Sequence, residues 1–237
     1  MSKKALLALC IAVLIPVVCY WIVSKLSEDA VLMPSRYFPD TVINKIVDGK
    51  SVSDTLWHSV QNISLTNQVG DQVSLDGLKG KIIVVNFFFT RCPSICPAIM
   101  RNMKTLQDAT RQKGYKIKTE TDFVHLISLS VDPVRDSAEV LKKYADKLGV
   151  NPDVWWLLTG SKSTIYDFAF NELKIGIQDG KGIDSNFLHT DKFVLLDKER
   201  VVRGYYEGLD TSSVSKLAED LTILMLEKDK TKKRKLF

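Results

Sequence analysis

The chain has 237 residues, of which 45% are hydrophobic and 26% are charged, a length and composition that fit one globular domain plus appendages. The net charge of +5 does not indicate a basic surface for nucleic acid. Most of it is local, since residues 227–237 contain six lysines and arginines against two acidic residues. We interpret residues 228–237 as a solvated, disordered basic tail.

An apolar segment near the N-terminus comes first along the chain. Residues 5–23 carry no charge, and Lys3, Lys4 and Lys25 flank them. At about 1.5 Å per residue, a helix of this length just spans a hydrocarbon core of about 30 Å. A cleaved signal peptide is the alternative, but the run is long for one and no small-residue cleavage site follows. We predict residues 1–4 in the cytoplasm, an uncleaved transmembrane anchor over residues 5–24, and the domain outside.

The four cysteines fall into two groups. Cys10 and Cys19 lie inside the apolar segment, and the bulky residues before them do not fit lipoprotein processing. Cys92 and Cys96 lie in the outward domain, in an oxidising compartment. One pair is too few for a disulfide-stapled scaffold, and the domain is large enough to bury its own core. This pair is therefore predicted to be chemical rather than structural.

The segments that follow predict a linker and the first strands. Residues 25–55 are polar with two scattered prolines, which favours a linker. Two short alternating runs within residues 61–75 predict a β-hairpin. Residues 81–89 and 123–131 are continuous apolar runs rich in β-branched and aromatic residues, typical of strands buried on both faces.

Helical patterns alternate with these strands. Pro97 fits the first position of a helix, with Cys96 as its N-cap, and Asp136 is predicted to cap a later helix. The remaining predicted elements are helices over 137–148, 164–172 and 211–226 and strands over 154–158, 174–178, 192–196 and 201–205. Such alternation predicts a sheet covered by helices on both faces. We predict an α/β, thioredoxin-like fold with an N-terminal β-hairpin over residues 56–227, preceded by one transmembrane helix.

The chemistry is expected in the loop that joins the first long strand to a helix. At the N-cap, Cys96 would meet the positive end of the helix dipole, and Arg91 adds a positive charge near Cys92. Both effects favour thiolates, which attack disulfides and bind soft metals such as Cu(I) and Zn. The two thiols can also close into a redox-active disulfide if their Cα atoms lie within about 7 Å.

Three kinds of site compete for this motif. A thioredoxin-type oxidoreductase normally has two residues between its cysteines and a proline before the penultimate strand. Here the spacer has three residues, and no proline follows Pro152. A peroxiredoxin would have Thr or Ser three residues before its cysteine, where Phe89 and Pro93 stand instead. The third kind is a metal site, which needs another ligand.

His189 meets that need. It comes just before the strand predicted over 192–196, where a thioredoxin fold has its proline beside the cysteines. Two sulfurs and one nitrogen suit copper, and Asp191 is a candidate to orient the imidazole. His58 and His125 are interpreted as packing or surface residues.

Two methionines in the predicted helix after the cysteine loop are further candidate ligands. Met100 and Met103 carry thioether sulfurs, which are candidate copper ligands. The simpler interpretation is ordinary helix packing, which methionine serves well because its side chain is unbranched and adaptable. The ligand set is therefore centred on Cys92, Cys96 and His189.

These motifs together resemble the Sco (SenC-type) family of copper chaperones, over about residues 57–226. Residues 88–97 are similar to its F-x-x-C-P-x-x-C-P copper loop, and residues 128–136 to its S-V-D-P-x-x-D segment. Residues 156–161 resemble its L-T-G-S stretch, and His189 stands where the family has its copper-binding histidine. Leu188 departs from the acidic residue that often precedes that histidine.

The resemblance implies a membrane-tethered metallochaperone rather than an enzyme, with copper, as Cu(I) or Cu(II), bound by Cys92, Cys96 and His189. Its expected partner is the copper-centre subunit of cytochrome c oxidase, or another copper or thiol client, served by copper delivery or by reduction of cysteines. A thiol–disulfide oxidoreductase or a redox sensor remains the alternative. The short N-terminus favours a bacterial inner membrane, with the domain facing the periplasm or outside.

Overall fold

The structure is a computed structural model that describes residues 3–28, 33–47, 50–110, 123–175 and 190–227. The chain divides into two compact units, Met1–Met33 and Pro34–Phe237. In the first unit, the apolar segment forms helix α1 (Lys3–Glu28). Within the described part of the chain, no helix combines the length and apolar character that crossing a membrane requires. The anchor over residues 5–24 and the basic tail over 228–237 stay predictions, the tail lying outside the described residues.

A two-stranded antiparallel ribbon opens the second unit. Strand β1 (Pro39–Val47) pairs with β2 (Lys50–Trp57). The linker predicted over residues 25–55 therefore contains strands from residue 39 onward. The missed signal is the Asp48-Gly49 dipeptide next to a run rich in Thr, Val and Ile, since Asp-Gly between such runs is a strong hairpin signal.

A seven-stranded sheet forms the body of the second unit, in the order β4-β3-β7-β6-β5-β8-β9. Its central strands β5, β6 and β7 are parallel, whereas β3–β4, β3–β7, β5–β8 and β8–β9 pair antiparallel. The strands are β3 (Ser64–Asn67), β4 (Gln72–Ser74), β5 (Ile82–Phe88), β6 (Val124–Ser130), β7 (Trp155–Thr159), β8 (Lys192–Leu196) and β9 (Val202–Glu207). The predicted hairpin and the predicted long strands are confirmed.

Helices cover both faces of this sheet. They are α2 (Cys96–Thr110), α3 (Ala138–Leu148), α4 (Lys162–Asp167), which continues as a π-helical turn (Phe168–Glu172), and α5 (Thr211–Leu226), with a 3-10 turn at Leu75–Leu78. The predicted strand over 174–178 lies mostly outside the described residues, and Lys174 and Ile175 are not in a strand.

Alternating residues of β5 divide the core into two layers. Ile83 and Val85 face a cluster completed by α4, the π-helical turn and the 3-10 turn. Ile82 and Val84 face a second cluster built from α2, α3 and α5. This burial on both faces explains the continuous apolar run of β5. The arrangement is a thioredoxin-like fold, as predicted.

A buried arginine joins the first and last described residues of the second unit. The Nη1 atom of Arg203 lies 2.9 Å from Asp197 Oδ2 and 2.9 Å from Glu227 Oε2. Its Nε and Nη2 donate to the carbonyl of Pro34 at 3.0 and 2.8 Å. Because Arg203 and Asp197 are both buried, losing one would leave the other charge uncompensated in the interior.

Replacement of this arginine gives a test of the fold. Arg203→Met should lower the free energy of unfolding by about 3–5 kcal/mol, as expected when one partner of a buried pair is removed. Arg36→Met is the matched control, because Arg36 pairs with Glu227 and the exposed Glu199 and should cost about 1 kcal/mol or less. Urea unfolding followed by tryptophan fluorescence measures both. Equal losses in the two variants would contradict the assigned role of the buried pair.

Candidate functional site

The two domain cysteines lie where the central strand of the sheet ends. Strand β5 stops at Phe88, a short loop follows, and α2 begins at Cys96. The neighbouring parallel strand β6 ends at the same edge, where Phe88 O accepts a hydrogen bond from Val131 N at 2.9 Å. In open α/β sheets, ligands commonly bind outside the carboxyl ends of the parallel strands.

The two thiols face different surroundings. Both are free, Cys96 being buried and Cys92 partly exposed. The backbone N–H of Cys96 donates to Cys92 Sγ at 3.4 Å, and Cys92 N donates to the carbonyl of Phe89 at 3.2 Å. The hydroxyl of Ser94 lies 4.0 Å from Cys92 Sγ. The arrangement thus presents one sulfur to solvent and keeps the other in the protein interior.

The environment of Cys92 favours its ionised form. Partial burial opposes ionisation of this thiol, but hydrogen bonds from Cys96 and Ser94 outweigh it and lower the pKa of Cys92 below its ordinary value. The side chain of Arg91 is exposed. Hydrogen bonds, and not the predicted effect of the Arg91 charge, therefore favour the Cys92 thiolate.

Cys96 behaves in the opposite way. Burial, followed by the hydrogen bond with the Cys92 side chain, raises the pKa of the Cys96 thiol to about 12. The expectation that the helix N-terminus would favour a thiolate here is wrong for the metal-free protein. Removal from water disfavours the charged sulfur more than the helix dipole favours it.

Asp136 has a different role from the predicted one. It does not cap α3, since Ser137 is the N-cap and accepts a hydrogen bond from Val140 N at 3.4 Å. The buried Asp136 carboxylate instead accepts hydrogen bonds from the backbone N–H of Thr90 at 3.1 Å, from the Thr90 hydroxyl and from the Ser130 hydroxyl. Thr90 lies 46 residues before Asp136 and Ser130 lies in the preceding strand, so helix-capping patterns do not reveal these contacts.

The methionines of α2 are packing residues. Met100 and Met103 are fully buried in the cluster under α2. The amide of Asn86 lies 3.7 Å from Met100 Sδ and donates to it. Burial of both side chains and this contact favour the packing interpretation over a role as copper ligands.

Two of the three histidines lie in structural settings, in agreement with the sequence interpretation. His58 lies between two carboxylates, with its Nε2 3.1 Å from Glu172 Oε2 and its Nδ1 3.4 Å from Asp40 Oδ1. His125 is buried in β6 against Trp156, with ring centroids 4.2 Å apart. Burial, with a smaller effect of the Lys81 charge, lowers the pKa of His125 to about 3 and keeps it neutral.

The third histidine, His189, lies outside the described residues. Among those that are described, no group of three or more His, Cys, Asp or Glu side chains is arranged to hold a metal. The chain is described again from Thr190, and β8 then runs antiparallel to β5. The first residue of β8 consequently lies at the sheet edge where β5 ends and the cysteine loop begins.

A glycine holds the start of β8 against α2. The N–H of Gly208 donates to the carbonyl of Asp191 at 2.8 Å, and Asn102 of α2 donates to the carbonyl of Gly208 at 2.6 Å. A Cβ atom at Gly208 would lie only 2.4 Å from that Asp191 oxygen. Glycine is needed here for the close approach of the two backbones, which links residue 191 to the helix that Cys96 begins.

The fold and site define a thioredoxin-like protein with one solvent-facing and one buried thiol. A family model described as SCO1/SenC matches residues 57–225. The chain is 33% identical over 174 residues to the SCO1 protein homolog of Bacillus subtilis (strain 168), covering 73% of this chain and 86% of the relative. The chain therefore belongs to the SCO1/SenC family, and the resemblance found in its motifs is confirmed.

Solved structures agree with this assignment. BsSco, described as a member of the Sco family of cytochrome c oxidase assembly proteins with a disulfide switch, is 33% identical and has a TM-score of 0.58. The match covers 73% of this chain and 96% of BsSco. Copper-bound ScoI of Bradyrhizobium japonicum is 24% identical and has a TM-score of 0.52. The match covers 70% of this chain and 99% of ScoI, and it shows that the two proteins share a fold.

The unequal thiols generate a prediction about reactivity. Iodoacetamide should alkylate Cys92 well before Cys96, because the thiolate is the reactive form and the pKa is lowered for Cys92 and raised to about 12 for Cys96. The rate at Cys92 should reach half its maximum at a pH below the ordinary thiol pKa. Timed quenching across a pH series, with peptide mass spectrometry, measures each site. Equal alkylation rates at the two cysteines would contradict the difference in their pKa values. In the Cys92→Ser variant, only the slow alkylation of Cys96 should remain at this site.

Proposed function

We propose that this protein is a membrane-anchored copper-binding chaperone that assists assembly of the copper centre of cytochrome c oxidase. Copper would be bound by Cys92, Cys96 and His189. The observation that carries the proposal is the pair of free thiols at the end of β5, joined by the 3.4 Å hydrogen bond from Cys96 N to Cys92 Sγ. Membership of the SCO1/SenC family supports it, as does the description of BsSco as an oxidase assembly protein.

The chemistry of the two sulfurs suits a soft metal. Thiolates are preferred ligands of Cu(I). Cys92 favours the thiolate, whereas Cys96 holds its proton until a metal displaces it, because its pKa is about 12. Copper uptake should therefore release a proton from Cys96, and the apparent copper affinity should rise with pH.

The location of β8 supports His189 as the third ligand. His189 precedes Lys192, the first residue of β8, by three positions, and β8 begins at the edge where the cysteine loop lies. The hydrogen bonds that join Asp191, Gly208 and Asn102 tie this part of the chain to α2. An imidazole nitrogen added to two sulfurs gives a ligand set suited to copper in either oxidation state. The proposed orienting role of Asp191 stays a prediction.

Copper titration tests the ligand set. The reduced full-length protein should bind about one copper ion per chain. Cys92→Ser and Cys96→Ser should each abolish tight binding and the sulfur-to-Cu(II) charge-transfer absorption. His189→Ala should shift that absorption and weaken Cu(II) binding, which competition with a chelator of known affinity measures.

The matched control for the copper titration is His58→Ala. It removes a different histidine, one engaged with Glu172 and Asp40, and should leave copper binding at the wild-type level. If His189→Ala and His58→Ala both match the wild type in affinity and spectrum, His189 is not a ligand. If the wild-type protein takes up no copper, the chaperone proposal itself fails.

A second candidate function, reduction of a client disulfide, is favoured by the exposure of Cys92 and the burial of Cys96. The Cys92 thiolate would attack a client disulfide, forming a mixed disulfide and releasing one client thiolate. Cys96 would then lose its proton and attack the Cys92 sulfur, closing the Cys92–Cys96 disulfide and releasing the second client thiolate. Two electrons pass to the client. Fast reduction of a model disulfide with no copper uptake would rank this function first.

The membrane anchor is the remaining part of the proposal. It is supported by the uncharged run over residues 5–23 and by its helical structure in α1. The proposed location is the bacterial inner membrane, with the thiol domain facing the periplasm or outside. In that orientation the domain would meet an oxidase subunit on the outer face.

Deletion of residues 5–24 tests the anchor. The full-length chain should sediment with membranes, and the shortened chain should not, because the apolar surface that binds hydrocarbon is gone. Ultracentrifugation of cell lysates with and without a carbonate wash measures this. Recovery of the full-length chain in the supernatant after the wash would overturn the proposal. Protease treatment of intact spheroplasts reports which side carries the domain.

A further inference from the structure

We infer that Asp136 is a positioning residue of the thiol site, acting through Thr90 on the redox equilibrium of the Cys92–Cys96 pair. The inference deepens the proposed function, since it rests on the thiol chemistry of the same loop. It concerns a residue that touches neither sulfur and that sequence patterns assign to helix capping.

The carboxylate of Asp136 joins the loops that follow two neighbouring strands. Thr90 belongs to the loop after β5, two residues before Cys92, and gives the carboxylate both its backbone N–H and its hydroxyl. Ser130 is the last residue of β6 and gives its hydroxyl. Asp136 is only 1% exposed, so these three donors replace the water that a carboxylate would otherwise bind.

The turn that carries Asp136 is itself held in place by hydrogen bonds. Asp136 N and Arg135 N both donate to the carbonyl of Asp132, at 3.0 and 3.1 Å, and Asp132 N donates to Ser130 Oγ at 3.2 Å. The turn after β6 is thereby held against the end of its own strand. The Asp136 carboxylate is therefore a hydrogen-bond acceptor with a fixed position relative to Thr90.

The effect on the thiols follows from the short distance along the chain. Only Arg91 separates Thr90 from Cys92, whose sulfur must stay near Cys96 for a disulfide to form. Closing a disulfide is easier when the two sulfurs are already held together, because less chain freedom is lost on closure. Release of Thr90 from Asp136 would free the start of the loop, lower the effective concentration of one thiol at the other and disfavour the disulfide.

The experiment measures the equilibrium of the pair with glutathione. Oxidised glutathione takes two electrons from Cys92 and Cys96, which form a disulfide, and becomes two molecules of reduced glutathione. The experiment uses the full-length protein in detergent. The substitutions Cys10→Ser and Cys19→Ser leave Cys92 and Cys96 as the two thiols that can be oxidised. Alkylation of the remaining thiols and mass spectrometry give the oxidised fraction, and from it the equilibrium constant.

Two variants remove the contact in different ways. Thr90→Val keeps the shape of the side chain but loses its hydroxyl, and Asp136→Asn keeps the size but loses the charge. Each should lower the equilibrium constant for disulfide formation about tenfold, the change expected for loss of one hydrogen bond to a charged group. Thr90→Ser retains the hydroxyl and should restore most of the wild-type value.

The matched control is Asp197→Asn. Asp197 is also a buried carboxylate with several donors, namely Glu199 N, Val201 N and Arg203, but it lies after β8, at the edge of the sheet opposite the cysteine loop. This variant should lose stability without moving the thiol equilibrium. A purely structural role for Asp136 would make the two aspartate variants behave alike.

The possible results distinguish a positioning role of Asp136 from a purely structural one. If Thr90→Val lowers the constant and Thr90→Ser and Asp197→Asn do not, the positioning role stands, even if Asp136→Asn does not fold. If Thr90→Val stays within about twofold of wild type, or if Asp197→Asn shifts the constant as far, the inference is overturned. Because no copper is present in this assay, failure of copper uptake would refute the proposed function and leave this result unaffected.

Discussion

The burial of β5 on both of its faces is the constraint on which the rest of this structure depends. All seven of its residues are buried, so it must lie between two layers of helices and next to other strands on both edges. Such a strand can meet solvent only at its ends. The loop after Phe88 therefore emerges at the rim of the sheet, and that is where the two thiols are placed.

The rim position also makes the two cysteines unequal. Cys92 lies in the emerging loop and keeps contact with solvent, whereas Cys96 begins a helix that packs back onto the sheet. The pKa of Cys92 is therefore lowered, whereas the buried Cys96 thiol stays protonated in the metal-free protein. A pair with one solvent-facing and one buried thiol is compatible with both proposed functions, copper binding and thiol exchange.

Much of the fold could be predicted from the sequence, because the spacing and length of apolar runs indicate which residues of a strand or helix are buried. The run over 81–89 became β5, and the pattern over 211–226 became α5 with the same bounds. The ribbon from residue 39 was missed because prolines and polar residues outweighed the Asp48-Gly49 signal. Asp136 was misassigned because its position before a helix suggested a cap, whereas its partners come from two other segments.

The sequence by itself determined the class of fold, the family and the identity of the two sulfur atoms, since these depend on residue types and their order. Only the tertiary structure decided the ionisation of the thiols and the attachment of their loop. The pKa of Cys96 depends on how much protein surrounds its sulfur, and the position of Cys92 depends on a carboxylate 44 residues further along the chain. Burial and long-range hydrogen bonds are properties of the folded chain, and no local pattern records them.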